Sequence, residues 1–485
     1  MRRGEKTRLA RIELLSKDDV QTIHATSLKM LEEVGVQIDN ENALKLLADA
    51  GASIEYEKKL AIIPESLIQE ALKKVPSEFR LHGLDGKQEL LLAGDNVCFN
   101  PGSTALYMLD RQTMKMRRPT SKDLTDFIKL TDTLQYVHAQ STAMVVSDVP
   151  DSVVDRFRFY LILKNSAKPI IAGAFTIDGL YDMKRMLEIV LGGEEPLRKK
   201  PCLLMDVCPS PPLKWSRTTS QNLIDSAKFE IPIEIIPAPQ LGSTAPATLA
   251  GLLVQHNAEF LSGLVMSQLV NPGLPIVYSG SPSLMDMRYG TGCVGNIETA
   301  MLSAAYSQIA KFYCIPSGAY LGISETKLVD AQTGLESAIG LIIGTLAGIN
   351  CITGPGMLGF ENCQSLEKLV IDNEICGMAL RLMRDITFND ETLAFDLIKK
   401  IGPGGHFLSE KHTLKWFQIE EYLPSSVVDK TSKSRWECSE VKDAFGRAKA
   451  YVDRVLEEHH PKPLLPDVEE ELDSFISKVL RQATV

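Results

Sequence analysis

The chain has 485 residues, with 52 basic and 62 acidic side chains and a formal net charge of −10. That balance argues against nucleic acid or an anionic membrane surface as the main partner, and the length exceeds the roughly 250 residues of a typical α/β barrel, so extensions are expected at both ends. The nine cysteines form no C-x-x-C and no paired framework, which suits a reducing cytoplasm.

The basic opening stretch, residues 1–11, has no apolar run behind it and reads as a solvated tail, not a secretory signal. Ser16 with Asp19 then forms a capping-box-like helix start, and Gly35 ends that helix. Further helices are expected over 40–50 and 64–74, and EFRLHGLDGKQELLL from Glu78 reads as a β-hairpin turning at Asp85-Gly86.

From residue 97 the rhythm changes. Eight short apolar segments follow one another: VCFNPGST (97–104), VHAQST (137–142), PIIAGAF (169–175), CLLMDVCP (202–209), PIEIIPAP (232–239), PIVYSGS (275–281), PSGAYLG (316–322) and NCITGPG (350–356). Each precedes a longer stretch with helical spacing, such as Leu124, Phe127, Ile128 and Leu134. Eight strand–helix units in succession predict an α/β fold, a (β/α)8 TIM barrel over 97–385, with a helical extension and hairpin before it (1–96) and a helical extension after it (386–485). A second hairpin, LYMLDRQTMKMR from Leu106, is expected beside the pocket. Two uncharged runs, 262–285 and 337–360, are long enough to suggest membrane spans, but each contains Pro, Asn and Gly and fits a helix followed by a buried strand. In the last extension GPGGHFLSEKHTLKW from Gly402 is the most unusual segment, and a final helix over 465–480 is acidic at its start and basic at its end.

Barrels of this kind place their chemistry at the C-terminal ends of the strands. No dinucleotide fingerprint, P-loop, H-E-x-x-H or G-x-S-x-G is present, and the eight histidines do not pair with cysteines at zinc-ligand spacing, so no bound catalytic metal is expected. The strand ends carry Asn100, Ser103, Gln140, Ser141, Gln240, Ser279 and Ser281, with Tyr107, Phe175, Tyr278, Tyr320 and Phe360 nearby. Amides, hydroxyls and aromatic faces suit a quaternary ammonium, which binds chiefly through ring quadrupoles. The same aromatics also suit plain barrel packing. After strand seven, SETKLVDAQTGLES gathers Glu325, Lys327, Asp330 and Glu336; Asp330 falls where it caps the next helix, with an acid–base role as the alternative. Asp206 at the end of strand four is a second carboxylate candidate or a structural hydrogen-bonding group. His406, in the flexible GPGGHF, either reaches over the barrel mouth or is an ordinary surface histidine.

Long ordered stretches then become specific: PAPQLGSTAPATLAGLLVQHNAEFLSG from Pro237, MRYGTGCVGNIETAMLSAAYSQIAKFY from Met287, SETKLVDAQTGLESA, and LAGINCITGPGMLGFENCQSLEKLVIDNEICGM from Leu346. Together with VCFNPGSTALYMLD and GPGGHFLSEKHT they resemble the trimethylamine methyltransferase superfamily over nearly the whole chain. Archaeal trimethylamine methyltransferases of that family carry pyrrolysine in the barrel, at a position expected near the end of strand seven. This chain has none and so resembles the non-pyrrolysine branch, whose members demethylate quaternary amines such as glycine betaine. The resemblance implies a methyltransferase that passes a methyl group to cob(I)alamin held on a separate corrinoid protein. That fits the absence of D-x-H-x-x-G, the corrinoid-binding motif, from the chain itself. A quaternary ammonium already has a neutral amine as leaving group, so catalysis reduces to holding an N–CH3 bond in line with the cobalt in a dry pocket.

On that reading Tyr107, Tyr320 and Phe360 surround the ammonium, while Asn100, Gln140, Gln240 and His406 meet the substrate's carboxylate or hydroxyl, with Asp206 and Glu325 also in the binding set. The expected partners are a cognate corrinoid protein, a small quaternary amine and further copies of the chain. Two alternatives stay open: direct methyl transfer to tetrahydrofolate, and a non-catalytic barrel that binds a methylated amine.

Overall fold

The computed structural model describes residues 11–384, 386–439 and 443–483. Residues 1–10 of the expected tail over 1–11 and the barrel limit at 385 therefore lie outside the described residues. Eight parallel strands form the barrel: β1 (Cys98–Asn100), β2 (Gln140–Ser141), β3 (Ile170–Ala172), β4 (Leu203–Val207), β5 (Ile233–Ile235), β6 (Ile276–Tyr278), β7 (Gly318–Tyr320) and β8 (Cys351–Thr353). Each falls inside one of the eight apolar segments. Ladders join β2 to β3, β4, β5 and β6 in turn, and β7 to β8 and β1.

Two seams complete the ring by other means. Between β6 and β7 a single bridge joins Tyr278 to Ser317. Between β1 and β2, His138 N donates to Phe99 O at 2.8 Å, and Phe99 N donates back to His138 Nδ1 at 3.1 Å. The imidazole thus takes the place of a ladder carbonyl, which requires it to be neutral; burial lowers its pKa to about 4.

The outer layer consists of α1 (Ser121–Thr133), α2 (Val154–Asn165), α3 (Ile177–Leu191), α4 (Arg217–Lys228), α5 (Leu249–Val270), α6 (Ile297–Phe312), α7 (Ala331–Leu346) and α8 (Leu366–Leu382). Local sequence sets their starts: Thr120 and Asp123 make a capping box for α1, and Asp330 accepts from Gln332 N and Thr333 N to cap α7. The second uncharged run resolves into α7 followed by β8, the first into the latter part of α5 followed by β6, and no helix among the described residues is long and apolar enough to cross a membrane.

The N-terminal region holds the three expected helices, the first with the Ser16–Asp19 capping box. It also holds a small sheet that the helical reading of 1–96 omits. Val36–Ile38 pairs with Leu60–Ile62, which pairs with Ser53–Glu55, and a short strand of the loop after β4, Lys214–Trp215, completes it. This region packs on α5, so that helix is buried around most of its circumference. The hairpin Phe79–His82/Glu89–Leu92 closes the N-terminal end of the barrel, where Phe79, Leu81 and Leu92 cluster with Cys98, Ala139, Ile171, Leu204, Val277 and Cys351.

Candidate active site

Side chains alternate across a strand, so residues two positions beyond that apolar floor face the same lumen. They are Asn100, Ser141, Gly173, Asp206, Ser279 and Thr353, and the layer is polar where the floor is apolar. Glu234 joins it from β5, in register with Asp206 on one side and Val277 on the other, because its neighbours Ile233 and Ile235 pack outward against the helices. Tyr320 completes it, in register with Thr353 and, through it, Asn100.

The lack of a side chain at Gly318 makes room for this arrangement. A Cβ there would stand 2.2 Å from Glu234 Oε1 and 2.7 Å from Ser279 Oγ. Glu234 is 1% exposed and Asn100 fully buried, yet neither Glu234 oxygen, nor Asp206 Oδ1, nor either polar atom of the Asn100 side chain receives or makes a well-aligned hydrogen bond in the protein. Buried polar groups are normally satisfied, so such a set at a strand-end lumen marks a ligand site.

The charges here are strongly perturbed. Burial raises both Asp206 and Glu234 above the ordinary carboxylate range; Asp206 is pushed further by the Glu234 charge, while Ser279 and Asp206 hold Glu234 back. Two carboxyls this close cannot both ionise freely. Tyr320 is raised by burial and then by the charges of Asp206 and Glu234, which places its phenol beside them. Cys208 stands just beyond β4, exposed to solvent.

Glu361 reaches the same mouth from the loop after β8 through an unusual backbone. Gly359, Phe360 and Glu361 are consecutive left-handed residues, with φ of 58°, 63° and 64°. Non-glycine residues seldom adopt this conformation, and strained backbone gathers at functional sites. Ser281 Oγ donates to Glu361 Oε2 at 3.3 Å, and burial pushes the Glu361 carboxyl up to about 7 against that bond. The Phe360 ring already carries a cation: Lys327 Nζ stands 4.0 Å from its centroid and donates to Glu325 O at 2.9 Å. Phe360, Lys327 and Glu325 border a cavity of about 740 Å³ between the loop after β7 and a hairpin, Ser283–Asp286/Thr291–Cys293, that the sequence reading does not anticipate. Among the described residues no three His, Cys, Asp or Glu side chains converge as a metal site.

Of the expected binding residues, Asn100, Asp206 and Tyr320 meet in the lumen, and Phe360 and Glu325 stand at its rim. Glu325 accepts from Val294 N and Gly295 N, at 2.6 and 2.5 Å, leaving Oε2 unpartnered. Gln240 lies in the loop after β5, where its Nε2 donates to Ser283 Oγ at 3.3 Å and steadies the unanticipated hairpin. Tyr107 is 38% exposed in the hairpin strand Tyr107–Leu109, which pairs with Met116–Arg117.

Two placements correct the sequence reading. Gln140 faces away from the lumen: its Nε2 donates to Ile128 O of α1 at 2.9 Å, because β2 directs Ser141, not Gln140, inward. His406 does not reach over the mouth. It is exposed in a helical module that follows α8 and is tied to that helix's far end through Arg381 and Glu420. Tyr278 likewise points outward, donating to Asn257 Oδ1 of α5. Glu234 and Glu361 are the candidate site residues absent from the sequence reading; the signal for Glu234 is a single charge inside the otherwise apolar PIEIIPAP.

The profile of the family described as trimethylamine methyltransferase (MTTB) matches residues 2–484. Glycine betaine methyltransferase of Desulfitobacterium hafniense (strain Y51) is 33% identical over 472 residues, covering 97% of this chain and 98% of its own. Trimethylamine methyltransferase MttB of Methanosarcina barkeri is 32% identical, covering 96% and 95% respectively. The solved monomethylamine methyltransferase MtmB of M. barkeri aligns with a TM-score of 0.54 at 13% identity over 98% of this chain and 89% of its own, a likeness of fold.

Proposed function

Since the chain belongs to the trimethylamine methyltransferase family, we propose that it demethylates a small quaternary amine and passes the methyl group to cob(I)alamin held on a separate corrinoid protein. The observation that carries this reading is the carboxyl-lined, aromatic lumen at the strand ends: Asp206, Glu234 and Glu361 place carboxyl oxygens there, and Tyr320 and Phe360 supply ring faces for an ammonium that cannot donate hydrogen bonds.

The corrin, brought by its partner, would supply a strongly nucleophilic cobalt(I). The chain's fit to it lies at the mouth, where Leu106, Tyr107, Phe175, Met287, Tyr289 and Leu328 are exposed on several strand-end loops and offer apolar contacts to a partner-borne macrocycle. The protein's own part is to bind, orient and exclude water. The rings and carboxyls hold the ammonium while the scissile N–CH3 bond is directed outward. That bond breaks with its electron pair kept by nitrogen, which leaves a neutral tertiary amine. Fully ionised carboxylates would favour the charged substrate over the transition state and slow this step. Burial of Asp206 and Glu234, which disfavours their ionised forms, limits that effect, and loss of charge on nitrogen weakens the hold on the product.

The same reading places the protein in the cytoplasm. It also makes it a homo-oligomer, supported by the exposed Met301 of α6 and Leu335 and Ile339 of α7. The test is an anaerobic incubation of the protein with reduced cobalamin and a panel of quaternary amines, with the demethylated amine measured by mass spectrometry. Product that depends on cobalamin is expected. Product formed with tetrahydrofolate alone, or tight binding without product under any acceptor, would overturn the proposal.

A further inference from the structure

Resting on that reading, we infer that Arg158 receives a carboxylate of the substrate, so that the quaternary amine this chain takes is a zwitterion held at both ends. Arg158 belongs to α2 and is fully buried. Its Nε donates to Thr142 O at 2.8 Å, one residue past β2, and its guanidinium lies 4.9 Å from the ring centroid of Phe175, three residues past β3. Both anchors are strand-end residues, which brings the guanidinium to the rim of the lumen beside β2 and β3. What the side chain lacks is an anion. Nη1 and Nη2 are both buried, and neither makes a well-aligned hydrogen bond in the protein. Asp155, one turn earlier on α2, accepts instead from Arg156 N, Phe175 N and Thr176 N, at 2.8, 2.9 and 3.3 Å.

Burial lowers the guanidinium pKa to about 9 against the attraction of Asp155, so it stays charged at pH 7. A buried cation with unused donors is costly, and a guanidinium fork matches a carboxylate through two parallel hydrogen bonds. The lumen leaves room for that group. Gly173 adds no side chain to the polar layer, and a Cβ on it would meet only Asp206 beyond its chain neighbours, 3.3 Å from the carbonyl oxygen. The Phe175 ring over the guanidinium is 39% exposed, so turning it aside to admit a carboxylate unpacks little. Tyr320 and Glu234 then hold the ammonium from the side of β7 and β5, while Arg158 takes the opposite end. The neighbouring carboxyls offer little opposition, because burial raises Asp206, Glu234 and Glu361 toward their neutral forms.

Isothermal titration of the full-length protein at pH 7 with glycine betaine, γ-butyrobetaine and choline tests this, the last carrying a hydroxyl where the others carry a carboxylate. One or both carboxylates are expected to bind at least about tenfold more tightly than choline, and in Arg158→Met that preference is expected to vanish with choline affinity unchanged. Arg158→Lys keeps the charge but loses the fork; it is expected to retain part of the preference and serves as the test if Arg158→Met does not fold. Choline binding the unaltered protein as tightly as both carboxylates, or a preference undiminished in the variants, overturns the inference and leaves the methyltransferase reading standing. So does an equal loss for all three ligands, which would make Arg158 a structural residue. Failure of all three to bind the unaltered protein overturns both.

Discussion

Glu361 combines a left-handed backbone with a carboxyl that its surroundings hold protonated up to about pH 7. Both features oppose folding, and glycine at this position removes both. The left-handed conformation at a non-glycine residue costs on the order of 1 kcal/mol, which Glu361→Gly should return as stability. The carboxyl adds a pH dependence of known sign. Its pKa is raised from 4.5 to about 7 on folding, so its contribution to stability is intact below 4.5 and is lost as pH rises through about 7. The advantage of the glycine variant should therefore be larger at pH 8 than at pH 5, which urea midpoints at the two pH values would show; a variant less stable at both would contradict the assignment. Gly318 makes the complementary case. In Gly318→Ala the new methyl collides with Glu234 Oε1 and Ser279 Oγ, so a loss of about 1–3 kcal/mol from overpacking should accompany a rise in KM as Glu234 is displaced. An unchanged KM would mean that Glu234 does not touch the substrate.

Among the elements, α7 and α8 are joined to the site by one buried ion pair. Lys368 Nζ donates to Gly322 O and Ser337 Oγ, both at 2.8 Å, and to Asp372, whose Oδ2 also accepts from Gly356 N at 2.7 Å. Lys368→Met would strand the Asp372 charge and cost about 3–5 kcal/mol, whereas Lys368→Met with Asp372→Leu should recover most of it. Thermal melts of the single and double variants decide this, and equal losses in both would refute it. The eight barrel strands are legible in the sequence because each is a short apolar run bounded by proline, glycine or a polar turn. The N-terminal sheet is not, since strands of three residues carry no usable alternation and Lys214–Trp215 joins from far along the chain. Asp206 and Tyr320 are legible from strand-end position alone. Glu234 is legible only once Ile233 and Ile235 are assigned to the outward face. Glu361 depends on a backbone that residue type does not reveal, since Phe and Glu ordinarily avoid it. Gln140 shows the limit of position without phase, for one residue along β2 decides lumen or helix layer.

At the scale of the whole molecule, order is uneven. The four helices between Asp390 and Glu437 have no buried residue among those described, and they leave Phe388, Phe395, Leu408 and Leu414 exposed. Segments with few buried contacts open at low free energy, so amides there should exchange with solvent well before those of α8. Protection equal to that of α8 would mean that another surface covers them in solution. The barrel behaves in the opposite way. Its lower end is stopped by Phe79, Leu81 and Leu92, so the lumen has a floor. A vessel with one opening imposes an order of events. For the proposed reaction the amine must already be inside when the corrinoid protein settles over the rim, and the demethylated product is trapped until that partner departs. Saturating partner should then slow both the entry of amine and the escape of product, so that turnover falls when the second protein is in excess.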